Sequence, residues 1–293
     1  MRSKTGEADP PQTPIDTPAS RRLRSLDIRV TGNPLDPDLA GSIIKPAELV
    51  DVIELTSLNR SELVLYNQLL AHAWNEIEST KVHRIHKALL RGSHESNDRL
   101  HEAFDKLMAA FAKISHRHPD TGRQVTTRIS LLGPNAEEDT EDGYFYYTFH
   151  EGLLNVLRHS HTWARLKSEI MYLLRSKYSI RLYEMIERRI NLNVQSETFT
   201  VDQLRALLGV PRNKLGRFAD FNKYALKPAI AEINQLTDYS VSVGIRKRGR
   251  LVHELVLMWF RKDSDAVTRA AAERQRSRVG RSARRRDKVE IIV

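Results

Sequence analysis

Three short motifs could carry covalent chemistry. His116-Arg117-His118 and His159-Ser160-His161 have the spacing of metal pairs, and Tyr224 precedes Lys227 by three residues. Two histidines and a tyrosine could hold a metal and attack a phosphodiester. That chemistry needs both rings on one face of a strand, with an apolar residue between them. Here the middle residues are Arg117 and Ser160, and neither pair lies in a clear strand. The order of elements does not suit such an enzyme either, and the histidines read as surface residues. No phosphate-cradling glycine loop, His-Glu-x-x-His or Gly-x-Ser-x-Gly occurs, so ATPase, zinc-protease and hydrolase readings lack support. The expectation is a protein that is not an enzyme, with no cofactor and no catalytic or metal-binding residue.

A second kind of chemistry is non-covalent. Residues 214–238, KLGRFADFNKYALKPAIAEINQLTD, read as one amphipathic helix. Phe218, Phe221, Leu226, Ile230 and Ile233 supply its buried side. Arg217, Lys223, Lys227 and Asn234 lie away from that side, with Asn222 at the boundary and Lys214 at the start. Arginine can pair with guanine and asparagine with adenine in the major groove, while lysine suits phosphate or guanine. Pro228 removes a backbone donor inside the run, so a kink or late start is expected near Tyr224. A hairpin with Arg246, Lys247, Arg248 and Arg250 around Gly249 follows directly. Such a tip rests on phosphate or in the minor groove, setting affinity and register more than sequence choice. Helix plus basic hairpin points to double-stranded DNA. The alternative is a surface helix and a solubilising turn.

The surrounding chain must position these groups. At 293 residues it can hold about two domains. Its formal charge of +10 favours an anionic partner. The charge is uneven, since residues 261–288 carry an excess of seven positive charges. There is no cysteine, which excludes a disulfide framework and a thiolate zinc finger. No apolar run approaches the roughly 18 residues that span a bilayer, and the N-terminus lacks a signal core. A soluble, cytoplasmic protein with no membrane partner is expected.

The expected domains are as follows. Residues 1–44 hold six of the eleven prolines and read as a disordered leader, with Arg21, Arg22 and Arg24 on a solvated arm. Residues 45–161 form the N-terminal winged-helix domain. Asn59 with Glu62 marks a helix start, and Leu63, Tyr66, Leu70, Trp74 and Ile77 make its stripe. A short helix carrying Val82, Ile85 and Leu89 stops at Gly92. A third, capped by Ser96, carries Leu100, Phe104, Leu107, Phe111 and Ile114. Strands at 125–132 and 144–149 form a hairpin whose tip holds Glu137, Glu138, Asp139, Glu141 and Asp142. That acidic tip points away from DNA or toward a protein; as a calcium loop its spacing fails.

Residues 162–262 form the helical junction and C-terminal DNA-reading domain. The junction reads as helical almost throughout 162–191, with a phase break near Ser176-Lys177. Thr200 with Gln203 caps the next helix, which Gly209-Val210-Pro211 ends. Strands at 239–245 and 251–260 follow. Residues 263–293 lack an apolar stripe and read as a disordered, basic, DNA-touching tail. The fold class is α+β, mostly helical, with two tandem winged-helix domains joined by a helical junction.

At this point the residues carry a family resemblance. LRSKYSIRLYEMIERR (174–189), FTVDQLRALLGV (199–210), RFADFNKYALKPAIAEINQLTDYSV and KRGRLVHELVLMWF resemble the junction, next helix, recognition helix and wing of the iteron-binding plasmid replication initiators of the RepA and RepE-like family. The match is strong over 174–260 and moderate over 53–149. The resemblance implies two winged-helix domains and binding to repeated origin sequences. Monomers open the origin, and dimers bind an inverted repeat and repress their own gene. The N-terminal domain supplies much of the dimer contact. It also implies host partners, the initiator ATPase and replicative helicase. By position, Arg217, Asn222 and Lys223 match the base-reading segment. Asn222-Lys223-Tyr224 stands where many relatives have arginines, which implies a different repeat. Ser176, Lys177, Tyr178, Arg181 and Tyr183 match the junction signature, where Lys177 and Arg181 are implied to touch phosphates. The alternatives are a dimeric winged-helix repressor without origin function and a rolling-circle nicking enzyme.

Overall fold

The computed structural model describes residues 41–285 apart from 53, 78–79, 91–96, 119, 141 and 161. Of the leader expected over 1–44, residues 1–40 lie outside these residues, as do the Gly92 stop, the Ser96 cap, His161 and the distal tail; residues 42–44 are instead part of a strand, which corrects the leader's end. Among the described residues, no helix is long and apolar enough to cross a membrane.

The first domain opens with β1 (Ser42–Pro46), which pairs antiparallel with β8 (Trp163–Lys167). Ala164 and Leu166 of β8 are buried. This corrects the reading of 162–191 as helical almost throughout: β8 lies just after the expected boundary at 161/162 and pairs with a strand of the first domain. A single turn, α1 (Ala47–Val50), and β2 (Glu54–Leu55) follow. Asn59 and Glu62 close the expected capping box at the start of α2 (Arg60–Ala73). The expected second helix is instead β3 (His83–His86) and a single turn, α3 (Lys87–Leu90). Ile85 is buried, but Val82 and Leu89 are exposed, so there is no helical stripe.

The third helix, α4 (Asn97–Met108), ends before Phe111 and Ile114. Those residues lie on β4 (Phe111–Arg117), which pairs with β5 (Gln124–Ser130). The two runs expected to pair do not, since β6 (Asn135–Glu137) and β3 flank β7 (Tyr144–Tyr147). The acidic loop folds back onto its own domain. Glu137 lies 2.8 Å from His101 Nδ1 and 3.2 Å from Lys87 Nζ. Glu138 accepts from the Tyr146 hydroxyl at 2.7 Å and the Tyr144 amide at 3.0 Å. The β4–β5 tip carries Arg117, His118 and Arg123 instead. Helix α5 (Glu151–His159) completes the domain.

The junction is α6 (Ser168–Leu173) and α7 (Lys177–Arg189). The expected phase break falls at Ser176, whose hydroxyl accepts from the Ser179 amide at 3.0 Å. Helix α7 packs against α1, α2 and β8 on one side and the second domain on another. Ten of its thirteen residues are buried, so its charged groups need internal partners. Glu184 receives Lys45 Nζ at 2.7 Å, Asn67 Nδ2 at 2.9 Å and Arg181 Nη1 at 2.7 Å. Arg181 also donates to Val50 O at 2.7 Å and to Leu207 O at 3.1 Å. It is 1% exposed. Arg181 is therefore a core residue, and the implied phosphate contact is corrected: a guanidinium enclosed on all sides cannot reach DNA.

The second domain runs β9 (Ser196–Thr200), α8 (Val201–Leu207), a helical run over 218–236, β10 (Tyr239–Arg248) and β11 (Leu251–Arg261). β11 is the middle strand of the sheet. Thr200 and Gln203 close the expected capping box. The tail is corrected too. Residues Ser264–Gln275 form α11, and Arg281–Arg284 form α12. Their packing uses Ala270 and charged groups instead of an apolar stripe. Glu273 receives Arg284 at 2.7 Å and Arg281 at 3.4 Å. Arg274 reaches Asp238 at 3.2 Å, and Arg285 reaches Glu232 at 3.1 Å.

Two expectations follow. Glu184→Ala strands the Lys45 ammonium and the Arg181 guanidinium in the core. Removing one partner of a buried pair costs about 3–5 kcal/mol, which urea unfolding will register as a lower midpoint. Glu187, on the α7 face toward Tyr183 and Tyr239, is pushed up to about 7 by burial, against the pull of those hydroxyls. A raised folded-state value means stability falls as pH rises from about 4.5 to 7. Glu187→Gln removes that slope and raises stability above pH 7 by about 3 kcal/mol, while leaving it little changed near pH 4. A thermal-unfolding series in pH checks this.

Candidate nucleic-acid interface

The helical run begins with α9 (Phe218–Phe221), opens into a wide turn at Asn222–Leu226, and continues as α10 (Lys227–Leu236). The wide turn has a local cause. Pro228 has no N–H, and its ring would meet the carbonyl four residues back, at Tyr224. Loosening the turn by one residue relieves that clash. The kink expected near Tyr224 is thus present as a widened turn. Phe221, Ala225, Leu226, Ala229 and Ile233 face the core. Lys223, Tyr224 and Lys227 are exposed, and the Arg217 side chain is 82% exposed. Asn222 is half-buried, and its Oδ1 is enclosed without a partner. Asn234 is not an outward group. Its amide donates to Val241 O at 2.8 Å and its oxygen accepts from Val241 N at 2.6 Å. It stitches α10 to β10.

The loop before the run has one strained residue, Leu215, with φ of 51°, a region that side chains with a Cβ rarely adopt. Arg205 of α8 holds it by donating to Lys214 O at 2.6 Å and Gly216 O at 3.4 Å. The motif reading missed Arg205. Its signal was a cation on the last turn of α8, just ahead of the Gly209-Val210-Pro211 stop. Arg205 positions Lys214 and Arg217 at the mouth of the face.

Lys177 belongs to the same mouth. It donates to Ser57 Oγ at 3.1 Å. Burial pulls its ammonium below the usual lysine range, and the Lys214 cation pushes the same way. An anion between these two lysines would relieve that repulsion. The wing is β10 and β11 with the turn at Gly249, whose φ of 63° suits glycine. Arg246, Lys247, Arg248 and Arg250 are all exposed around it. A bulge between Arg246 and Lys247 adds local twist at the tip. Arg246 lies 3.4 Å from Glu254.

The structure therefore brings Lys214, Arg217, Lys223 and Lys227 onto one run and adds Lys177 beside it. Lys247, Arg248 and Arg250 form the separate wing tip. Among the described residues the covalent set is not assembled. His116 Nε2 lies 2.9 Å from Thr127 Oγ1 on the first domain's sheet, whereas Tyr224 is on the second domain's helical run.

A family model described as Initiator Replication protein, WH1 matches residues 42–187, and one described as Initiator Rep protein, WH2 matches residues 200–259. The chain belongs to the initiator Rep protein family. Its two domains are the family's two winged helices, and the family is one of DNA-binding replication initiators. The structure is similar to that of Pi initiator protein in complex with iteron DNA. That match has a TM-score of 0.51 at 19% identity, covering 77% of this chain and 98% of the other. A second similarity is to domains 2 and 3 of RctB, with a TM-score of 0.42 at 11% identity over 69% and 82% of the chains. No curated protein matches. Both family matches end before α11, so the arm from residue 264 onward is outside them.

Arg217→Ala or Lys223→Ala is expected to erase the preference for a cognate repeat over random duplex. Each good base pairing is worth about 1–3 kcal/mol, so competition titrations should show a ten- to hundredfold loss. Equal preference in mutant and parent would remove these residues from the reading face.

Proposed function

We propose that this protein initiates plasmid replication in the bacterial cytoplasm by binding direct repeats at an origin and promoting strand opening. The observation that carries this is the exposed cationic run, Lys214 to Lys227, with a basic wing beside it, in a chain of the initiator Rep family. The run would enter the major groove. Lys177 and the wing cations Lys247, Arg248 and Arg250 would hold phosphates and set register. No covalent step is required, because distorting and unstacking DNA is driven by binding energy. In this proposal residues 45–161 serve dimerisation and a secondary DNA contact, and residues 162–262 read sequence. Monomers bind direct repeats, dimers bind an inverted repeat and repress the gene, and the host initiator ATPase and replicative helicase are recruited.

The test is the DNA flanking the gene. The full chain should protect several direct repeats, each about two helical turns or 20 base pairs, and unpair adjacent DNA detected by a single-strand-specific reagent. Protection of an inverted repeat alone, without unpairing, would favour the repressor. With the four cations Lys177, Lys247, Arg248 and Arg250 on phosphate, affinity should fall with salt at a log–log slope of about −4. Lys247→Ala should reduce that slope by about 1 while leaving repeat preference intact.

A further inference from the structure

The outward face of the helical run is not uniformly polar. Tyr224 is 56% exposed, and Pro228, four residues on, is exposed beside it. Residues four apart share a helix face. The Lys223 ammonium lies 4.8 Å from the Tyr224 ring centroid, and Lys227 is exposed on the next turn. The ring is thus an apolar ridge set among cations. It fills no space in the core, whose contacts come from Ala225, Leu226 and Ala229. The widened turn at Asn222–Leu226, imposed by Pro228, is what presents it.

The major groove offers one prominent apolar group, the C5-methyl of thymine; the other features that distinguish its base pairs are hydrogen-bond donors or acceptors. We propose that Tyr224, backed by Pro228, is a specificity-determining residue that reads thymine through this methyl group. Lys223 is steered by its contact with the ring toward a neighbouring guanine edge or phosphate. This rests on the reading that the run enters the major groove. It also gives the Tyr224–Lys227 pair a role without nucleophilic chemistry.

The full chain is first used to select a duplex from a random-sequence library. Each thymine of the selected duplex is then replaced singly by deoxyuridine, which removes only the methyl group. Losing one buried methyl should weaken binding about fourfold at the contacted thymine. Tyr224→Phe should keep that sensitivity, and Tyr224→Ala should lose it, with unfolding curves unchanged for both because the side chain is exposed. Sensitivity that survives in Tyr224→Ala, or that occurs at no thymine, overturns the proposal. So does a loss in Tyr224→Phe that is equal on all duplexes, since that assigns the hydroxyl to phosphate. If no sequence is enriched, the sequence-specific reading itself fails; enrichment without the methyl effect sinks only the role of Tyr224.

Discussion

One buried guanidinium holds the two halves of the chain together. Arg181 donates to the last carbonyl of α1 in the first domain and the last carbonyl of α8 in the second. Both helices end in carbonyls that lack an intrahelical partner, and a cation there also meets the negative end of the helix dipole. Glu184 accepts from Arg181, and Lys45 and Asn67 donate to it as well. A buried network of this kind adds little net stability over apolar packing, yet breaking one member is costly. The network ties α1, α7 and α8 to one another through Arg181 and Glu184. Arg189 repeats the pattern at the other end of α7, reaching Asp51 at 2.9 Å and Glu197 at 2.6 Å.

The reading face is built outward from that frame. Helix α8 is fixed at its C-terminus by Arg181, and the same helix supplies Arg205, which holds the strained loop at Leu215. That loop delivers Lys214 and Arg217. Asn234 locks α10 to β10, and Lys262 donates to Asn234 O at 2.6 Å and Thr237 O at 2.7 Å, closing the far end. The tethers are made by buried or half-buried groups. The cations of the run and of the wing are on long, exposed side chains, whereas Lys177 is half-buried on the frame helix α7.

The second domain was largely legible in the sequence because its signals are local. The Thr200–Gln203 box, the glycine stop, the alternating strand and the Gly249 turn each announce themselves within a few residues. The first domain was harder. Nothing between Leu107 and Phe111 breaks helical spacing, so Phe111 and Ile114 read as helix although they lie on β4. Trp163, Leu166 and Ile170 fit a helix as well as a strand followed by a helix, and runs this short do not decide between periods. Arg181 read as a phosphate contact because one of its partners, Val50, lies more than a hundred residues away in the chain. The arm at α11 and α12 was missed because arginines and Glu273 hold it, a kind of packing that leaves no apolar stripe.

The widened turn at Asn222–Leu226 has a consequence for descent. Lys223 and Tyr224 of this turn are exposed, and the core contacts come from Phe221, Ala225 and Leu226, so under the proposed reading exchanging the exposed pair would change which duplex is bound and leave the core in place. A copied gene could therefore drift to a new origin by a few substitutions over 214–228. Protein and repeat would then change as a pair, and two replicons with one shared architecture could coexist without answering to each other's initiator.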